Sequence, residues 1–205
     1  CRRLTLKRMP DALYLSIWLD KKAKRGSNTT PINPLTALER LTLAFPVSKL
    51  AHAASTLRIL AVSFAEPPVA EHEVGTLAHP ELVSDLASEF YNPDSAFQLD
   101  TFWDLWTLEG DWRLAPCRVS LQVFGEQFDR PDGEDIRIEF GPDSQFLPDP
   151  AIPSSTRLIQ SNIRSLLHLV AELEKALPVA KKLLWSESGE NFAEQLQRAL
   201  QLQQT

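Results

Sequence analysis

Along ALYLSIWL, Ala12 to Leu19, the residues Leu13, Leu15, Ile17 and Leu19 share one parity, while Tyr14, Ser16 and Trp18 share the other. Alternation of this kind predicts a strand with one buried face. TLRILAVSF, Thr56 to Phe64, is apolar on both parities and predicts a strand covered on both sides. VAEHEV, Val69 to Val74, reads as a short edge strand whose acidic side chains discourage pairing with other chains. Ala96 to Leu108 and Asp111 to Phe124 flank Glu109-Gly110, a turn that joins them as a hairpin. Asp135 to Phe140 follows the turn Pro131-Asp132-Gly133, with Ile136, Ile138 and Phe140 inward and Arg137 and Glu139 outward.

Between these runs the period changes to that of a helix. Asn33-Pro34 supplies an N-cap and a first-turn proline, and Leu35, Leu38, Leu41 and Phe45 follow before Pro46. After Pro80, Leu82, Leu86 and Phe90 recur every four residues, with Val83 and Ala87 widening the stripe. From a cap at Ser154 or Ser155, the residues Ile159, Ile163, Leu166, Leu167, Val170, Leu173 and Leu177 define a long amphipathic helix that Pro178 ends. A short turn of helix is expected up to Trp185, then a last helix carrying Phe192, Leu196 and Leu200.

These elements predict an α+β protein with an antiparallel-dominated sheet and amphipathic C-terminal helices packed on it. From Ala12 to Leu108 their order is that of a ferredoxin-like βαββαβ core, which the following strands extend. Residues 1–150 are expected to form the sheet domain, and residues 151–205 a helical segment packing on the same domain.

Composition changes this picture little. A 43% apolar and 23% charged chain is ordinary for a globular protein, and 15 prolines against 7 glycines favour stiff connections. No apolar run approaches the ~20 residues of a membrane helix, and no apolar stretch follows the basic N-terminus as in a secretory signal. Cys1 and Cys117 give no framework of paired spacings, so a cytoplasmic, reducing setting without a membrane is expected. The net charge of −6 argues against general nucleic-acid binding. That charge is uneven: residues 1–25 carry eight Lys/Arg against two Asp, net +6, which leaves −12 for the other 180. The basic end either lies on acidic surface of the same molecule or meets an anionic partner such as RNA.

Candidate chemistry is sparse. FWDLWTLEGDWRL, Phe102 to Leu114, holds three of the five tryptophans. Cross-strand packing in the hairpin accounts for such a cluster. Its functional alternative is an exposed Trp106 beside Asp104 and Arg118, an aromatic platform with two polar anchors for a ligand or peptide. No glycine-rich phosphate loop, GxSxG elbow or HExxH is present. His52, His72, His79 and His168 are far apart, His168 being expected to flank the core with its ring hydrogen-bonded. In Glu71-His72-Glu73, alternation sends His72 to the opposite face from both acids. Asp129, Asp132, Glu134 and Asp135 lack the spacing of a calcium loop, so no metal and no cofactor is expected. Cys1 would be a nucleophile only as a true mature terminus, and Cys117 reads as a small buried hydrophobe.

With packing signals throughout and no convergent catalytic set, the expected function is a non-catalytic binding or assembly module recognising protein, its own copies included. Two alternatives stand beside it: a small-molecule enzyme or carrier with a pocket near Trp103, Trp106 and Trp112, using Asp100, Asp104 and Arg118, and a basic N-terminal segment binding an anionic partner. Whether the protein is an enzyme stays open.

Overall fold

The computed structural model describes residues 11–21, 32–130, 132–147, 156–187 and 192–201. Its centre is a seven-stranded antiparallel sheet built from β1 (Ala12–Leu19), β2 (Thr56–Ala61), β3 (Ala70–Glu73), β4 (Ser95–Glu109), β5 (Asp111–Phe124), β6 (Ile136–Pro142) and β7 (Val179–Ser186). The strand order is β3-β2-β4-β5-β6-β1-β7. Among the described residues four α-helices accompany the sheet: α1 (Pro34–Ala44), α2 (Pro80–Ser88), α3 (Thr156–Ala176) and α4 (Phe192–Gln201). None of the described helices is long and apolar enough to cross a membrane.

Alternation along the strands divides the sheet into two unlike faces. Across one, Leu57, Leu99, Leu121, Ile138, Leu15 and Leu184 stand side by side on six consecutive strands. This face joins Leu38 and Leu41 of α1, Val83 and Ala87 of α2, Ile163 and Leu166 of α3, and Phe192 and Leu196 of α4 in one buried cluster. Burying an aliphatic side chain contributes roughly 1.5–3 kcal/mol, so this layer supplies most of the stability. The α2 stripe is centred one residue beyond the expected one: Val83 and Ala87 are fully buried and Leu82 is exposed. Asn33 caps α1 by accepting from the Thr36 amide at 2.8 Å. The proposed caps of α3, Ser154 and Ser155, lie outside the described residues.

Three expectations are corrected. β2 ends at Ala61, because Val62 takes φ +68°, a conformation that no strand continues and that β-branched residues rarely adopt. Its amide donates to the Asp94 carbonyl and its own carbonyl accepts from Asp129, which hold the turn. Residues 179–186 form a strand rather than a turn of helix, and β7 pairs with β1 from Leu13–Ser186 to Leu19–Val179. The segment after residue 150 therefore adds a strand to the sheet as well as helices to its face.

Strand order is the third. A ferredoxin-like core on the first four strands would seat β1 between β3 and β4, whereas β1 lies between β6 and β7. The meander β4-β5-β6 builds the sheet outward from β4, and β1 pairs with the strand left free at its end. Split βαβ units do form, with other members: β3-α2-β4 brackets β2, and β6-α3-β7 brackets β1.

One close approach locks the far end of β5. A Cβ on Gly125 would overlap the Pro93 carbonyl oxygen and come within 2.7 Å of that of Ser95, while the Gly125 amide donates to the same Ser95 oxygen at 2.8 Å. Both obstacles are backbone. Gly125→Ala is expected to cost about 1–3 kcal/mol, read as a lowered urea midpoint.

Candidate functional site

The other face carries polar side chains in register. Glu73, Thr56, Asp100, Ser120, Glu139, Tyr14 and Trp185 form one row across all seven strands. Glu71, Arg58, Gln98, Gln122, Arg137, Ser16 and Leu183 form the next. At one end of this face Leu60, Ala96, Phe124 and Phe128 make a small separate apolar cluster.

Past Ser120 the pairing of β5 with β6 ends, while its pairing with β4 runs on to the hairpin turn at Gly110. Pro116 falls where β5 has a single partner strand, an edge position that tolerates the missing donor. Between this free stretch and the start of a 3-10 turn, Asp143–Gln145, opens a cavity of about 470 Å3. Its lining includes Asp100, Thr107, Arg118, Ser120, Glu139 and Gln145.

The acids of this lining are in different states. Asp100 is buried, ion-paired with Arg58, and accepts from Gln98 Nε2 at 3.0 Å. Arg58 in turn reaches Glu71 at 2.7 Å. Glu109 pairs with Arg113. Glu139 has no ion pair among the described residues. Burial pushes its carboxyl above the ordinary range, with repulsion from Asp100 and Glu187 adding to the effect and Arg137 partly offsetting it. Tyr14 is pushed up to about 12, chiefly by burial and then by Glu139 and Glu187, and its hydroxyl donates to Glu187 Oε1 at 3.2 Å. Its ring stacks on Trp185 at 4.5 Å.

Three polar atoms that belong to lining residues, Thr107 Oγ1, Ser120 Oγ and Gln145 Oε1, are buried without a hydrogen-bond partner among the described residues. Buried polar groups are nearly always partnered, and one left unpaired costs about 1–3 kcal/mol. Cys117 also lines the cavity, half-buried rather than fully buried as expected, and accepts from Gln145 Nε2 at 3.4 Å. Burial raises its thiol pKa, against the activation that a nucleophile needs.

A raised folded pKa fixes the sign of a stability effect. The contribution of the Glu139 acid is full below its unfolded pKa and lost as pH rises through the folded one. Glu139→Gln, which never ionises, is therefore expected to melt higher than wild type at neutral pH. The advantage should disappear on acidification through the carboxylate range, in thermal melts from about pH 4 to 8.

The three residues anticipated from sequence are not gathered in one place. Arg118 lines the cavity at its rim, 69% exposed, with its guanidinium 3.7 Å from Asp100. Asp104 accepts from the Ser48 hydroxyl and, at 2.9 Å, from the Lys49 amide, which fastens the loop after α1 to β4. Trp106 is half-buried rather than exposed, stands opposite Leu114, and has its backbone bonded to Asn162 of α3. Neither Asp104 nor Trp106 lines the cavity. Of the other tryptophans, Trp103 is a core residue and Trp112 packs half-buried against the same cluster.

The histidines are dispersed. His72 faces Phe90, away from Glu71, as alternation requires, and His168 is exposed on α3 rather than flanking the core. No group of three or more His, Cys, Asp or Glu suited to a metal ion occurs among the described residues. Lys21, of the basic N-terminal set, pairs with Asp135 at 3.0 Å; Cys1 and the other basic residues of that set lie outside the described residues. Comparison with known family models, curated proteins and solved structures found no match to this chain.

Proposed function

We propose that the protein is a binding module that takes a small polar molecule into the cleft beside the free stretch of β5. The observation that carries this reading is that three residues lining a cavity of about 470 Å3 each hold a polar atom without a partner among the described residues, Thr107 Oγ1, Ser120 Oγ and Gln145 Oε1. That volume is in the size range of small-molecule sites. A side-chain rotation toward the cleft would let a ligand supply those hydrogen bonds. Chemistry on the bound molecule has less support, since burial raises the Cys117 thiol pKa and the Ser120 hydroxyl has no hydrogen-bonded base among the described residues.

Protein recognition, the first expectation from sequence, rests on less. The exposed large apolar residues are spread over α1 (Leu43), α2 (Leu82), α3 (Leu167), β7 (Leu183), the hairpin end (Leu108, Leu114) and loops. Singly scattered apolar residues are ordinary surface.

The test is an amide chemical-shift titration of the full chain with a panel of polar fragments covering neutral, cationic and anionic types. Binders are expected to move the amides of Ser120, Glu139 and Gly141, and Ser120→Leu, which fills the cleft, to abolish those shifts while the fold persists. A panel that moves none of these amides overturns the reading.

A further inference from the structure

We infer that the ligand of this cleft is an organic cation whose primary ammonium group sits against Glu139, an inference that rests on the cleft being a ligand site. Among the described residues the lining holds three carboxylates, Asp100, Glu109 and Glu139, against one guanidinium, Arg118. Arg58 compensates Asp100 and Arg113 compensates Glu109, so Glu139 is the lining acid left without an ion pair among the described residues. It stands directly opposite Ser120 on β5 and Tyr14 on β1.

The groups facing Glu139 set the sign of the field. Asp100 comes from β4, and Glu187 follows β7. Tyr14 on β1 remains protonated at neutral pH. Arg118 on β5 points to the rim and lies 3.7 Å from Asp100. Arg137, on the same strand as Glu139, is engaged with Glu134 and Asp132. Among the described residues Glu187 and the Arg58-paired Asp100 still act on Glu139 as negative charge, more than Arg137 offsets. An added positive charge therefore lowers the energy of this arrangement, and an added negative one raises it.

The unpartnered atoms fit the same class. Gln145 Oε1 only accepts, and the hydroxyls of Ser120 and Thr107 can accept. An ammonium group brings three donors and no acceptor. Carboxylate or phosphate ligands could accept from the two hydroxyls, but they would set negative charge beside Glu139 and acceptor against Gln145 Oε1.

The coupling to protons follows. Burial and like charge hold the Glu139 proton to a higher pH than an ordinary carboxyl, and the neutral acid attracts a cation weakly. Affinity for the cation therefore rises with pH through that raised carboxyl range and then levels.

The probes are n-butylammonium chloride, 1-butanol and sodium butyrate, titrated into the full chain at matched ionic strength and followed by amide shifts. The ammonium is expected to move Ser120, Glu139 and Gly141 where the alcohol and the carboxylate do not. Glu139→Gln should weaken its Kd about tenfold or more, the loss of one charge-assisted hydrogen bond, and remove the pH dependence. Butanol or butyrate shifting the same amides as strongly, or an unchanged Kd in Glu139→Gln, overturns the cation assignment and leaves the cleft as a ligand site. Silence of all three probes together with silence of the fragment panel removes both.

Discussion

Trp103→Ala is expected to lower the unfolding free energy by about 3–5 kcal/mol, the range for truncating a buried tryptophan. The side chain is 5% exposed, on the helix-covered face of β4, and its ring lies 5.9 Å from Phe45, 5.9 Å from Phe140 and 6.4 Å from Phe146. Phe140 and Phe146 also meet each other edge-on at 6.3 Å. One ring thus ties α1, β4 and β6 together, and alanine would leave a void with rigid aromatic walls, unable to close. Since whole domains are stable by about 5–15 kcal/mol, the loss takes a large share. Trp106→Ala, at a half-buried position three residues on, should lose much less. Urea unfolding of both variants checks this: the midpoint of Trp103→Ala falls well below that of Trp106→Ala, with the slope unchanged. Equal midpoints would mean that the hairpin tryptophans share the load.

Those two residues also show how far local pattern carries. Parity sorts Trp103 with Phe97, Leu99 and Leu105, and all four are buried. It sorts Trp106 with Phe102 and Asp104, on the face opposite the described helices. The hairpin, β1, β6 and α3 were readable because their signals lie within a few residues: alternation, a glycine turn with φ +80° at Gly110, a sustained helical stripe. β7 was not, because VAKKLLWS is an edge strand with one partner and no face fully covered, so its alternation is blurred by Lys181, Lys182 and the run from Leu183 to Trp185. Strand order is set by which faces and edges meet across long loops, information that no window of sequence holds.

The site was legible in fragments for the same reason. Arg118, Ser120 and Glu139 all carry the outward parity, yet nothing local says that Ser120 opposes Glu139 or that Glu139 opposes Tyr14. Register creates that row. Asp104 and Trp106 looked like ligand groups because they are polar or aromatic on that same side, and the partners that occupy Asp104 and the Trp106 backbone, Ser48 and Asn162, are 56 residues away in each case.

Asn162→Leu puts that last contact to the test, with an expected loss of about 3 kcal/mol, since two or three polar groups lose their partner at once. The Asn162 side chain is 2% exposed. It accepts from the Trp106 amide at 2.9 Å and donates at 2.9 Å to the carbonyls of Trp106 and Gln145. A side-chain amide here does what a neighbouring strand would do, closing the edge of β4 beyond the end of β2 and tying α3 to the turn that borders the cleft. Leucine keeps the branched shape, although it is larger, and has neither donor nor acceptor, so the bonds are removed while the site stays filled. Hydrogen exchange at the Trp106 amide is the local readout: it should speed up in the variant by more than global destabilisation explains. An amide that stays as protected as in wild type would mean that α3 shields this edge by packing, with the asparagine incidental to it.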